Sequence, residues 1–403
     1  MVRKYNLKWI VSKRKQIGSL LALLVVICGV YLLGLNVGNG NIQLHGQGLN
    51  ASLPATLNYS AVNAEYQALI SNYNGSLTTT QLLDGIMHGL ANAAGDPYTE
   101  YFNAKEAAQF NGQLNNSFSG IGAELSENSQ KQIIVIAPLK GYPAAAAGLK
   151  ANDAIVDINN QPTANMSVDQ AVNAIRGKAG TIVKLTVIRG GSSQLTFNIT
   201  RQNITVPSVS YKVINGNLGY ISIITFAEDT PSLIQQAANA MISQHVKGII
   251  LDLRDNPGGL VSSAVATASE WLKPGQEIMQ EKRGNNIVIQ TYNATGGDVL
   301  NGIPTVVLVN GGSASASEIT AGALHDNHDA YIIGTQTFGK GVVQQLLNLR
   351  NGSMLKVTVA AWYRPNGQDI NHRGITPDEI VNQPANSTTD VQLNAAEQYL
   401  ATK

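Results

Sequence analysis

The chain has 403 residues, more than one hydrophobic core usually serves, so its length implies about two or three domains and leaves room for an enzyme. Only 13% of the residues are charged and the formal net charge is +1, which supplies neither a basic field for nucleic acid nor an acidic tail. The single cysteine, Cys28, lies in an apolar run, so no disulfide framework and no thiol cluster for zinc can be built.

That run, Ile17 to Leu35, carries no charge and as a helix would reach ~28 Å, close to the hydrocarbon thickness of a bilayer. Arg3, Lys4, Lys8, Lys13, Arg14 and Lys15 precede it, and no charge follows until Glu65. The asymmetry predicts a basic cytoplasmic tail over 1–16 and a signal anchor over 17–36, with the remainder outside the cell membrane. A cleaved signal peptide would need a shorter apolar region and a small-x-small site, which LGLNVGNGN does not offer. Residues 37–57, rich in Gly and Asn, read as a flexible tether. An N-terminal helical segment follows over 58–114. Tyr66, Leu69, Ile70 and Tyr73, then Leu82, Leu83, Ile86, Met87 and Leu90, keep a 3.6-residue period, and Thr78-Thr79-Thr80 can cap the second helix. It reads as a packing element without chemistry of its own.

Between 115 and 205 the pattern turns to short strands, Ile133 to Ile136, Ala154 to Ile158, Ile182 to Ile188 and Leu195 to Ile199, with helical stretches near Ala144 to Ala147 and Val168 to Ile175. From 206 to 403 buried strands alternate with helices. GYISI leads to a helix opened by Thr230 and Pro231, GIILDL to a helix ending near Leu272, and TVVLVN to a helix from about Ser315; YIIGT closes the series. That alternation predicts a layered α/β core.

The stretch Asn310-Gly311-Gly312-Ser313-Ala314-Ser315-Ala316-Ser317-Glu318 falls where a buried strand gives way to a helix. A serine there faces solvent beside first-turn N–H groups that have no intrahelical partner and can donate to a developing oxyanion. A simple N-cap would use the same residues. The segment Thr337-Phe338-Gly339-Lys340-Gly341-Val342-Val343-Gln344 changes the balance, because flanking glycines let a lysine be pushed inward. An ordinary lysine, pKa about 10.4, is almost wholly protonated at neutral pH, and burial can lower that value by ~3 to 5 units. Serine–lysine catalysis then needs no histidine.

These two segments, with Lys340 25 residues beyond Ser315, resemble the paired signature of the C-terminal processing (tail-specific) peptidases of family S41. The resemblance implies Ser315 as nucleophile, Lys340 as general base and Gln344 as the residue orienting it. Asp252-Leu253-Arg254-Asp255-Asn256-Pro257-Gly258-Gly259 resembles the family's DLRxNPGG, which implies an oxyanion hole from the amides of Ala316 and of Gly259 or Gly258. Ser119 to Ala123, Tyr142 to Asp153 and Ile175-Arg176-Gly177 are similar to the family's PDZ domain, where an extended chain end adds to a sheet edge. Gly120, Ile121, Gly122 and Ala123 are the candidate carboxylate loop, and Arg176 matches an arginine that couples the domain to the active site. Pro365-Asn366-Gly367 and Gly374 to Asp378 resemble the closing part of the core; Arg364, Asp369 and Asp329 depart from the family's usual residues there. The implied architecture is an α/β protease core of crotonase- or Clp-like layered βα units, with an inserted mostly-β PDZ domain over 115–205, the helical segment and one transmembrane helix. The implied partners are polypeptides bound by their C-termini and the membrane, with no nucleotide, nucleic acid, metal or cofactor, and with room for a homodimer or a regulatory adaptor.

Three competing readings are weaker. Gly334 to Lys340 fits most of a phosphate loop, but Gly341 stands where Ser or Thr must reach magnesium, and a helix should follow. His325 and His328, ten or more residues along the helix from Ser315, lie ~15 Å from its hydroxyl and read as solvated helix-end residues. A silent PDZ scaffold would bind exported chain ends without cutting them, but it has no use for Ser315, Lys340, Gln344 and the NPGG loop together.

Overall fold

The computed structural model describes residues 57–284, 286–384 and 387–403. The expected basic tail and anchor, and the tether up to residue 56, lie outside them; among the described residues no helix is long and apolar enough to cross a membrane. The chain divides into two compact units at Leu77 and Thr78. In the first, α1 (Ser60–Asn72) buries none of its residues.

The second unit opens with α2 (Thr79–Asn92). The Thr78 side chain accepts the Gln81 N–H while the Gln81 side chain accepts the Thr78 N–H, so the threonine cluster caps the helix as its sequence predicts. The rest of the 58–114 segment is not all helix. β1 (Glu100–Phe102) precedes α3 (Ala104–Leu114) and belongs to a sheet of the larger α/β core. Three residues are too few to display a period, so this strand has no sequence signal.

The mostly-β module contains β2 (Ser117–Gly120), β3 (Ala123–Glu127), β4 (Ile133–Pro138), α4 (Pro143–Ala146), β5 (Ala154–Ile158), β6 (Gln161–Pro162), α5 (Val168–Ile175), β7 (Ile182–Arg189), β8 (Ser193–Thr200) and β9 (Gln202–Thr205). Its main sheet runs β3-β4-β5-β7-β8, with β6 on β5, and β2 pairs with β9 where the chain enters and leaves. The alternating residues Val183, Leu185 and Val187 of β7 pack with Ile155, Ala171 and Ile175 in a core separate from that of the α/β region that follows. Buried Arg201 donates to the carbonyls of Ile175 and Ile182, so a cation closes the C-terminal end of α5.

Beyond Pro207 come β10 (Val209–Ile214), β11 (Leu218–Ile223), α6 (Thr230–Ser243), β12 (Gly248–Asp252), α7 (Val261–Ser269), β13 (Glu277–Arg283), β14 (Ile287–Asn293), β15 (Thr305–Val309), α8 (Ala316–Asp326), β16 (Tyr331–Gly334), β17 (Val342–Asn348), β18 (Met354–Tyr363), β19 (Glu379–Ile380) and α9 (Val391–Leu400). One sheet has the order β10-β11-β12-β15-β16-β19, with β11, β12, β15 and β16 parallel. Every residue of β12 and β15 is buried because the sheet is covered on both faces. Ile249, Leu251, Val307 and Val309 face α6, α7 and α8, while Ile250, Val306 and Leu308 face Ala396 and Leu400 of α9.

A second sheet, β1-β18-β13-β14 with β17 on β18, is antiparallel throughout. It is absent from the sequence reading because strands joined without helices do not repeat the βα unit that marks the first sheet. Its Met279, Val343, Ala360 and Trp362 complete the main core, so the two sheets share one interior.

Candidate active site

Residues 310–315 carry the chain from β15 into α8, and the crossing is fastened at several points. Asn310 Oδ1 accepts the N–H groups of Asp255 and Gly312, both at 2.9 Å. The three serines of this stretch divide by role. Ser313 is buried and donates to the Leu253 carbonyl at 2.7 Å, and Ser317 is buried and donates to the Asn256 carbonyl at 2.9 Å. Ser315 is half-buried and lines a cleft of ≈ 730 Å³. Its backbone lies at φ 54°, ψ −113°, a conformation costing on the order of 1–3 kcal/mol for a residue with a side chain.

The NPGG loop packs against this serine. A Cβ on Gly258 would fall 2.8 Å from that of Ser315, so only glycine permits the approach. Buried Asn256 donates to the Ile223 carbonyl at 2.7 Å and accepts the Gly258 N–H at 2.9 Å. The Gly258 amide is therefore engaged within its own loop. Those of Gly259 and Ala316 donate to no acceptor among the described residues; Gly259 lines the cleft, and buried Ala316 directly follows Ser315.

Lys340 stands two residues before β17 in the same cleft, together with Gln344 of that strand. The flanking glycines are crowded by the segment 371–374: a Cβ on Gly339 would meet the Gly374 nitrogen at 2.7 Å, and one on Gly341 would meet Asn371 at the same distance. The Lys340 amine donates to Gln344 Oε1 at 3.0 Å, and no hydrogen bond joins it to Ser315 Oγ. Burial pushes the Lys340 pKa below the ordinary lysine value; the charge of Lys356 adds to the effect and that of Asp96 opposes it. The strand at β17 also removes the helix that a phosphate loop would require.

The residue that the sequence reading missed is Glu318. It is fully buried, and its carboxylate accepts the N–H groups of Ser315 at 2.8 Å, Gly339 at 2.8 Å and Lys340 at 3.0 Å, together with the Thr337 hydroxyl at 2.5 Å. One side chain thus ties the turn carrying the serine to the turn carrying the lysine. Burial raises its pKa, while the four donors favour the carboxylate. Its signal in the sequence is a glutamate three residues after a serine at a helix start, which reads as an ordinary cap.

At the other end of α8, His325 lies between Asp326 and Asp378, each at 3.0 Å, with the Arg364 guanidinium also on the ring. Its pKa is raised first by the Asp326 hydrogen bond, against burial, and then by Asp378. It is more enclosed than a solvated helix-end residue, and among the described residues no cluster of metal ligands forms.

In the mostly-β module, Gly120, Ile121, Gly122 and Ala123 line a groove between β3 and α5, with Val172 and Ile175 on its far wall. β3 is an edge strand, so backbone groups on one side remain available to an added chain. Arg176 sits at the mouth of the groove, 4.8 Å from the centre of the Phe118 ring.

Comparison with known proteins accounts for both modules. Residues 217–381 match the model of peptidase family S41, and residues 113–188 match the PDZ domain. The carboxy-terminal processing protease CtpA of Bacillus subtilis (strain 168) is 36% identical over 340 residues, 84% of this chain and 72% of that protein. The chain belongs to peptidase family S41. A CtpA-like serine protease of Staphylococcus aureus (strain bovine RF122 / ET3-1) is 37% identical over 351 residues, 86% of this chain and 69% of that one. Among solved structures, a photosystem II D1 C-terminal processing protease superposes with a TM-score of 0.50 at 30% identity, covering 82% of this chain and 89% of that one. This S41 protein is accordingly a serine-type peptidase of the carboxy-terminal processing family, an α/β core joined to a PDZ domain, and its substrates are polypeptides.

Proposed function

We propose that the protein cleaves extracytoplasmic polypeptides near their C-termini while anchored in the membrane by residues 17–36, with Ser315 as nucleophile and Lys340 as general base. The observation that carries this is the joining of both turns by Glu318 beside two unengaged amides. Neutral Lys340 takes the Ser315 proton as Oγ attacks the scissile carbonyl. The N–H groups of Gly259 and Ala316 receive the oxyanion, and protonated Lys340 then passes its proton to the leaving amine. Water, deprotonated in turn by Lys340, then attacks the acyl carbon, and Lys340 returns the proton to Ser315 Oγ as the acyl bond breaks. Gln344, hydrogen-bonded to the amine, keeps it directed into the cleft. The chain end docks along β3, its carboxylate on the Gly120–Ala123 loop, and Arg176 links docking to turnover.

A serine-reactive probe tests the core of this reading: labelling is expected in the wild type and lost in Ser315→Ala, and equal labelling of the two would overturn it. Protease added to wall-stripped cells tests the anchor and is expected to digest the chain beyond about residue 36; full protection there would refute the topology.

A further inference from the structure

Lys340 is enclosed by α8 and β17 and, from a third side, by the turn that leads into β1. The ring of Tyr98 lies against the Lys340 amine, 5.1 Å from Nζ to the ring centre. The turn is fastened to itself and to β18. Asp96 accepts the Tyr98 N–H at 3.2 Å and the Thr99 hydroxyl at 2.6 Å, and Thr99 Oγ1 accepts the Thr358 N–H at 3.2 Å. The next residue, Glu100, pairs across β1 and β18 with Lys356, and their side chains meet at 3.0 Å. Lys356 lines the same cleft as Lys340. An acidic group, an aromatic face and a second ammonium are thus gathered at the base by residues outside both signature motifs.

We propose that Asp96, Tyr98 and Lys356 are positioning residues for the base: Tyr98 holds the Lys340 amine in place, and the opposed charges of Asp96 and Lys356 set how readily it gives up its proton. The proposal rests on the serine–lysine reading above. An aromatic face attracts an ammonium within about 6 Å, which restrains the lysine without offering it a carboxylate that would keep it charged. The burial-led fall in the Lys340 pKa carries contributions of opposite sign from these two charges, in agreement with the geometry. The other charged groups around the base are already occupied. Glu318 is taken up by backbone donors, and across the cleft Glu281 is bonded to Tyr292 and Arg283 to the Val359 carbonyl.

The test is the pH profile of kcat/KM for one peptide, measured on the full chain. The acidic limb reports loss of the proton from the base, so changing a neighbouring charge moves it with a known sign. Asp96→Asn should shift the limb to lower pH and Lys356→Met to higher pH, each by roughly half a unit or more, as unit charges beside a partly buried group interact more strongly than they would in water. Exposed Glu100→Gln strips Lys356 of its partner and should also move the limb downward, without disturbing a buried group. Tyr98→Leu should lower the plateau kcat several-fold with KM little changed, and Tyr98→Phe should restore it. Limbs that stay within about 0.2 units of wild type in all three charge variants, or that move the same way in Asp96→Asn and Lys356→Met, would overturn the proposal. If instead Lys340→Ala itself kept its activity, the serine–lysine reading would be what failed.

Discussion

Ser315 is delivered by β15, a strand paired on both sides and buried at every residue, whereas the groove lined by Gly120 to Ala123 opens along β3, which has a partner on one side only. The first arrangement leaves this serine, the proposed nucleophile, little freedom. Its turn is bonded to Leu253 through Ser313, to the NPGG loop through Ala314 and Ser317, and to the lysine turn through Glu318. The second leaves backbone groups open to a visiting chain. Catalysis has to hold a few atoms in one geometry, while tail recognition has to accept many sequences through groups that all share, so one region is cross-braced and the other is an unfinished sheet.

The contrast is broken most severely at the base. Lys340→Ala and Lys340→Arg should both lower turnover by about 10³-fold or more, since one removes the proton acceptor and the other replaces it with a group that does not deprotonate. Affinity for peptide should remain. A rate for either variant within tenfold of wild type would mean that the bracing around Lys340 serves something else. Glu318→Ala comes next. It strands three backbone donors and a hydroxyl in the interior, which should cost about 3 kcal/mol of stability by denaturant unfolding and lower kcat by ten- to a hundredfold. Unchanged kcat in the folded variant would show that the two turns hold their places without the carboxylate.

The groove should respond more mildly. Amidating a substrate's C-terminus removes a charge-assisted set of hydrogen bonds and should weaken binding to the Ser315→Ala protein about tenfold, with a matching fall in cleavage by the wild type. Arg176→Ala should reduce turnover a few-fold and leave affinity nearly unchanged; equal rates and affinities for free and amidated ends would remove the tail from the recognition.

Legibility in the sequence follows the same divide. The buried β–α alternation, the serine at a strand end and the lysine between glycines are local patterns, and each can be read within ten residues. Tertiary pairings are not. Glu318 looks like a cap until the Gly339 and Lys340 amides arrive from 21 and 22 residues away, and β1 is three residues whose partner lies 256 positions further on. The choice between Gly258 and Gly259 stayed open for a similar reason, because it turns on the direction of one amide and on Asn256 Oδ1 being there to accept it.

The backbone of Ser315 adds one more consequence. At φ 54° a glycine would rest without strain, so Ser315→Gly exchanges a reactive molecule for one that folds at least as readily. For this chain, inactivity lies downhill. On the proposed reading, a copy no longer needed for cutting could lose its hydroxyl in a single substitution and stay well folded, so the serine's persistence in a lineage would record continued demand for the reaction and not for the fold.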